Sequence, residues 1–390
     1  MMDTVSLTPR GWAVSAAVLW LAANLLCLER FPTVFLDEAE NGNHAYNAAF
    51  HGQAVFSLYD DLYPSRLAYL RQSWPPVIRP VFIRALAVFI KLVGFSFFHE
   101  RLFSLLFGFL SLFLVYWAGV KLGGSPRGFW AMAFLGTYFP FLYSSHSIRP
   151  EIMLAFDGLL VFVLLLFALE KEKVVYFAAA GLFAGLAPGI HTNGLALVVP
   201  VSVFLLIARR PRGAFWVFLG WVLGTLIFVR FADWDRFIPG YSSSTYFMRE
   251  FTTPPLIAAH GNILKMLASE TERYFGHWIF SDWTGGLAFS RLLSAQHVVI
   301  GAVLAWGCLQ KGREKWAALF GGSLVMAYTF LVGQKATNYL TALAPFFALS
   351  CAGWLVRSRQ MRFSNDELAE KGKAINAGAV YGSGETADPF

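Results

Sequence analysis

The chain reads as an all-α polytopic membrane protein. Three observations predict that class. Only 14% of its residues are charged and 57% are hydrophobic, where soluble domains run nearer 25% charged. Apolar runs of about 20 residues, the length that crosses a bilayer, recur along the chain. The 39 Phe and 13 Trp suit lipid-facing and interfacial positions. A net charge of +7 is then a topology signal and an attraction to lipid headgroups, with no nucleic-acid partner implied. Cys27, Cys308 and Cys351 lie inside apolar runs, which argues against a disulfide framework or a cysteine metal site.

The first run, Gly11 to Leu28, is followed by Glu29, Arg30 and Phe31. Its length and the absence of a small-residue cleavage site make it a retained span. Residues 29–100 then form a long extramembrane loop that opens on Phe35 to Tyr46, FLDEAENGNHAY. Asp37, Glu38 and Glu40 cluster there in a chain with only 24 acidic residues. On a helix, Asp37 and Glu40 share a face, as do Glu40 and His44. The same carboxylates would equally suit an ordinary helix start, where the dipole favours them. Val81 to Phe98 is apolar but carries Arg84 and Lys91. Charges at mid-span cost about 2.5–3.5 kcal/mol each, whereas an interfacial helix snorkels them into water. This piece is expected to lie flat.

Nine further runs follow: Leu102–Val120, Gly128–Tyr143, Ile152–Leu169, Val174–Ile190, Gly194–Ala208, Ala214–Phe231, Val298–Leu309, Trp316–Val332 and Tyr339–Val356. With the first they predict about ten spans. Alternate loops hold Lys121 and Arg127, then Lys171 and Lys173, then Arg209, Arg210 and Arg212, then Lys311, Arg313 and Lys315, and finally Arg357, Arg359 and Arg362. The intervening short loops hold only Arg149 and Lys335. By the positive-inside rule the basic set is cytoplasmic, which puts residues 29–100 outside. The second long loop, 232–297, is then also extracytoplasmic and should contain further interfacial helices. Residues 1–358 form the transmembrane unit, and 359–390 read as a disordered cytoplasmic tail.

Four polar groups share the extracytoplasmic side. The acidic cluster is the first. The second is Arg149 and Glu151 in HSIRPEIML, either a local ion pair at a helix start or a site at the membrane boundary. The third is His191 with Thr192 and Asn193, where a turn satisfied by Asn193 and Gly194 is the plainer reading. The fourth is Gln334, Lys335, Asn338 and Tyr339, in which Lys335 runs against the charge bias and suits an anion. No phosphate-binding glycine motif is present, so a soluble nucleotide-sugar is not supported. Asp37 with Glu38, Glu40 or His44 offers oxygen ligands for a divalent cation. That is the weaker reading, and no other cofactor is indicated.

The order of these motifs resembles the GT-C glycosyltransferases, in particular the polyprenyl-phosphate-sugar-dependent members related to aminoarabinose transferase and the protein O-mannosyltransferases. Asp37 and Glu38 follow the first span. WPPVIRPVFIRALAVFIKLVGFSFFHE resembles an interfacial helix entered through a Pro pair. SIRPEIM resembles the acidic position after the third span, with Glu151 in place of Asp, and QKATNYLTALAPFF resembles the late Lys/Tyr loop. The resemblance spans about residues 10–358. It implies a GT-C bundle and an inverting transfer from a polyprenyl-phosphate-linked sugar to a glycan, lipid or protein acceptor. It also implies a multi-pass inner-membrane location in a bacterium, with the site outside. Asp37 is implied as base, with Glu38 and Glu151 as its catalytic neighbours. Arg71, Arg149, His191, Lys335 and Tyr339 are implied as donor or phosphate ligands. Ser73 and Trp74 stand where the family has a basic residue before the Pro pair, and His191 stands where aminoarabinose transferases carry Lys. A transporter or flippase of the same lipid-linked sugar is the rival reading. It would place its polar residues at mid-membrane on broken helices with repeat symmetry. Here they collect at one face and no repeat is visible.

Overall fold

The computed structural model describes residues 9–32, 34, 36–52, 79–231, 259, 261–276, 287–333 and 337–360. Arg71, Gln334, Lys335, the residues beyond 360 and most of the second long loop lie outside the described residues. Every regular element among the described residues is helical. Five helices are long and apolar enough to cross a membrane: α1 (Pro9–Cys27), α4 (Phe97–Thr137), α6 (Pro150–Lys171), α9 (Pro211–Phe231) and α11 (Leu287–Cys308). Shorter helices complete the bundle: α5 (Phe139–Ser145), α7 (Val174–Ile190), a 3-10 turn at Thr192–Leu197 running into α8 (Val198–Ala208), α12 (Lys315–Leu331) and α13 (344–360).

Several boundaries differ from the sequence expectation, two of them for clear reasons. The runs starting at Leu102 and Gly128 belong to one kinked element, broken by Gly123 and Gly124 at φ −172° and +84°. Gly124 takes a conformation that side chains resist. Pro126 then opens the second limb, which folds back so tightly that a Cβ on Gly119 would meet the Gly128 backbone at 2.6 Å. Helix α11 starts at Leu287 rather than Val298. Its upstream turns carry Arg291 and His297, which hide the apolar run, yet His297 is turned inward. It bonds the Tyr138 hydroxyl at 2.8 Å and the Tyr274 carbonyl at 2.6 Å. Tyr274 belongs to a π-helical turn, Glu272–Gly276, that continues the short helix α10 (Ile263–Thr271).

Two helices lie between α1 and α4. The first, α2 (Leu36–Phe50), carries the acidic cluster. The second, α3 (Pro80–Val93), covers most of the piece expected to lie flat. Fourteen residues rise about 21 Å, short of a hydrocarbon core of roughly 30 Å. Phe82, Ile83, Leu86, Ala87 and Ile90 face the protein, while Val88, Lys91 and Leu92 are exposed. That is a single apolar stripe on a short helix.

The closest helix contact is between α7 and α9. Cβ atoms placed on Gly181 and Gly185 would meet the Val217 and Trp221 carbonyls at 2.0 and 2.3 Å. Those on Gly220 and Gly224 would meet the Ala178 and Leu182 carbonyls at 2.0 and 2.1 Å. Two G-x-x-x-G pairs therefore face each other, and the backbones touch. The opposite end of the bundle from α2 gathers the basic loops. Lys121 pairs with Glu170 at 2.9 Å, Arg210 with Glu172 at 2.6 Å and Arg357 with Glu314 at 2.8 Å.

Gly185→Val and Gly220→Val should each lower stability by about 3 kcal/mol or more through overpacking. Melting curves in detergent should shift down for both, while Leu223→Ala on the exposed side of α9 should leave them nearly unchanged. Equal curves for all three would mean the helices are not in backbone contact.

Candidate active site at one end of the bundle

The acidic cluster forms a true helix start: Asp37 and Glu38 occupy the first turn of α2. Consecutive residues on a helix point about 100° apart, so the two carboxylates reach different surroundings. Glu38 turns into the protein, where it is 0% exposed and pairs with Arg101, also 0% exposed, at 2.9 Å. The pairing is two-pronged, with Arg101 Nε at 3.1 Å from one carboxylate oxygen and Nη2 at 2.9 Å from the other. Arg101 also donates to the Leu28 and Pro32 carbonyls at 2.9 and 2.7 Å, and the Ile148 N–H donates to Glu38 at 3.0 Å. Glu38 was expected beside Asp37 at the reacting centre. It is instead the buried clamp on which α2, the end of α1, α4 and the strand-like approach to α6 converge.

Asp37 points the other way and is 29% exposed. Its carboxylate lies 3.0 Å from Arg149, whose same nitrogen is 3.0 Å from Glu151. Pro150 explains that reach. A residue before proline is driven to extended backbone, and Arg149 sits at φ −131°, ψ 144°. Its guanidinium therefore swings across the start of α6 instead of following the helix. The Arg149–Glu151 pair is local, as one sequence reading had it, and it also bridges 112 residues to Asp37. Glu151 is 1% exposed and accepts from Asn338 as well as from Arg149. Burial by itself would lower the Arg149 guanidinium, but Glu151 and Asp37 raise it above its ordinary value, so it stays a fixed cation.

Arg79, at the cap of α3, reaches the Asn41 side-chain oxygen at 3.0 Å, and Asn41 donates to the Ile148 carbonyl at 2.8 Å. Glu40 is half-buried on the same side of α2. Burial raises its carboxyl above the usual range, and Arg79 opposes that shift. His191 and Tyr339 meet edge to face with ring centroids 5.2 Å apart. The Asn193 N–H donates to His191 Nδ1 at 3.0 Å, which leaves the proton of the neutral ring on Nε2. Burial, reinforced by Arg79, pushes His191 down to about 3. The turn that holds it is the one read from Asn193 and Gly194, because a Cβ on Gly194 would strike the Ala187 carbonyl at 2.3 Å.

The structure thus brings Asp37, Arg149, Glu151, His191 and Tyr339 to one end of the bundle and sets Glu38 behind them. Arg79, Asn41 and Arg101 were not singled out by the sequence pattern. Arg101 had a signal, an ionisable residue against an apolar run, but the run was taken to begin one residue later. Among the described residues no group of three His, Cys, Asp or Glu side chains is arranged to hold a metal ion.

Residues 75–234 match the family described as dolichyl-phosphate-mannose-protein mannosyltransferase. This segment contains Arg149, Glu151 and His191 but neither Asp37 nor Tyr339. No curated protein sequence matches the chain. Among solved structures, it is similar to ArnT from Cupriavidus metallidurans bound to undecaprenyl phosphate, at 15% identity and a TM-score of 0.61 over 95% of this chain. It is also similar to the apo state of that protein, at 17% identity and a TM-score of 0.50 over 94% of this chain. In both cases it spans 64% of the other chain's length. A third similarity is to arabinosyltransferase EmbB from Mycobacterium smegmatis, at 15% identity and a TM-score of 0.51, over 90% of this chain and 32% of that one. ArnT and EmbB are GT-C glycosyltransferases, and the chain has their fold.

Neutral His191 makes acid stability testable. Its folded value of about 3 lies below the ordinary 6.5, so between those pH values the unfolded chain binds the extra proton. Stability is therefore lost as pH falls below about 6.5 and is unaffected above it. At pH 5 the loss is about 2 kcal/mol. His191→Gln should flatten the fall in melting temperature between pH 7 and pH 5, and an unchanged slope would show that His191 titrates normally.

Proposed function

We propose, from the GT-C fold, that the protein is a membrane glycosyltransferase that moves a sugar from a polyprenyl-phosphate donor to a glycan, lipid or protein acceptor. The observation that carries this reading is the contrast between the two adjacent carboxylates. Glu38 is sealed and consumed by Arg101, whereas Asp37 is partly open and held in place by a buried Arg149–Glu151 unit. The similarity to a structure holding undecaprenyl phosphate supports a polyprenyl-phosphate donor.

In this reading Asp37 takes the proton of the acceptor hydroxyl as that oxygen attacks the anomeric carbon. The bond from the sugar to the phosphate oxygen breaks, and polyprenyl phosphate leaves with its electron pair, inverting the anomeric centre. A base must stand within hydrogen-bond reach of the proton it takes. Arg149 fixes the carboxylate, and Glu151 and Asn338 fix Arg149 in turn. Glu151 is a positioning residue, because it touches Arg149 rather than the open side. Preorganised cations on the departing phosphate supply the larger electrostatic contribution. Arg79 stands nearby for this role, with Lys335 and Tyr339 brought in by the family resemblance. Arg71 keeps the same assignment on resemblance alone. His191, neutral with an Nε2 proton, serves as a hydrogen-bond donor to the sugar or phosphate.

The charge distribution supports an extracytoplasmic site in a bacterial inner membrane, since the basic loops gather at the far end of the bundle. The sugar and acceptor classes stay at this level of description.

Asp37→Asn should cut donor-dependent release of undecaprenyl phosphate in proteoliposomes by about 10²–10⁴-fold, with expression and melting temperature unchanged. Undiminished release would remove Asp37 as base. Sidedness has its own test, in a background lacking Cys27, Cys308 and Cys351. Ala39→Cys, on the exposed side of α2, should react with an impermeant thiol reagent added outside intact cells, and labelling only after permeabilisation would invert the topology.

A further inference from the structure

The reaction proposed above uses one end of the bundle; a groove of different chemistry leads towards the other end. A groove of about 690 Å³ runs between α7, α8 and α9, walled by Val201, Leu205, Val217 and Trp221, with Arg209 and Arg210 at its end. That volume is in the range of ligand sites. Helix direction separates it from the Asp37 site: α7 ends at Ile190 beside His191, and the chain then runs back through the 3-10 turn and the whole of α8 before reaching Arg209. Leu206, on the shorter apolar helix α8, and Phe218, on the span-length α9, line the groove and are exposed. It therefore opens where acyl chains are.

The rim is basic beyond what the protein neutralises. Arg210 is paired with Glu172 at 2.6 Å. Arg209, held at φ 52° as the cap of α8, makes no ion pair among the described residues, and Arg212 lies exposed in the same turn. The structure therefore offers an apolar channel ending in surplus guanidinium, which is complementary to a molecule with an apolar chain and an anionic head. Guanidinium forks match the oxygens of a phosphodiester, and basic pockets between membrane helices take anionic lipid headgroups.

We propose that this groove is a binding site for an anionic phospholipid, with one acyl chain along α8 and α9 and the phosphodiester on Arg209. The site is independent of the sugar-transfer reading, because it shares no residue with the Asp37 end.

Native mass spectrometry of the full chain, titrated with phosphatidylglycerol and with phosphatidylcholine of equal chain length, tests it. An arginine near an anionic headgroup is worth about fivefold in affinity, so Arg209 and Arg212 together should favour phosphatidylglycerol by roughly 25-fold. Arg209→Gln should lower phosphatidylglycerol binding about fivefold and leave phosphatidylcholine unchanged. Ser202→Trp, from an exposed position on the groove wall, should fill the channel and weaken both lipids. Both variants should melt like the wild type. Equal affinity for the two lipids in the wild type, or phosphatidylglycerol binding insensitive to both substitutions, would overturn the assignment. So would preferential capture of undecaprenyl phosphate in a manner blocked by Ser202→Trp, which would give the groove to a polyprenyl chain.

Discussion

The buried pair of Glu38 and Arg101 is the constraint on which the Asp37 end depends. Two charges removed from water gain little net stability, yet breaking such a pair costs about 3–5 kcal/mol because one charge is left uncompensated. The value of this pair is therefore in what it forbids. Arg101 spends its remaining donors on the carbonyls of Leu28 and Pro32, and Glu38 accepts the Ile148 N–H. No member can move without stranding a buried polar group of another segment. The first turn of α2 is consequently fixed against α4 and the approach to α6, and Asp37, one residue earlier, is fixed with it.

Behind Asp37 the charges alternate inward. Asp37 meets Arg149, Arg149 meets Glu151, and Glu151 meets Asn338 on the 3-10 turn before α13. Each step leads further from the opening, from a carboxylate 29% exposed to one 1% exposed. The outermost carboxylate is thus held from behind by a buried ion pair. Arg79 and Asn41 add a second brace, which ties the start of α3 to the same end.

Much of this was legible in the sequence. The spans from Ile152, Val174 and Trp316 fall within a residue or two of helices α6, α7 and α12, because uninterrupted apolar runs leave a helix no competitor in a membrane. Arg149, Glu151 and His191 stood out as polar residues between such runs, and they do meet. The sequence was silent where partners are distant. Nothing near Glu38 announces Arg101, 63 residues away, so the sequence alone does not separate the surroundings of the two adjacent carboxylates. The upstream turns of α11 were masked by Arg291 and His297, since hydropathy cannot tell a polar side chain turned inward from one in water. The glycines of α7 and α9 carry no sequence signal for the backbone contact, because their facing carbonyls lie on another helix.

That glycine seam has a further, entropic meaning. In water a glycine in a helix is costly because the unfolded chain loses so much backbone freedom there. In a bilayer the helices form before they dock, so that loss is already incurred when α7 meets α9. What remains to be lost on docking is side-chain freedom, and Gly181, Gly185, Gly220 and Gly224 have none to lose. The two helices join by bare backbone, so their association rests on dispersion contacts with almost no ordering penalty at the seam.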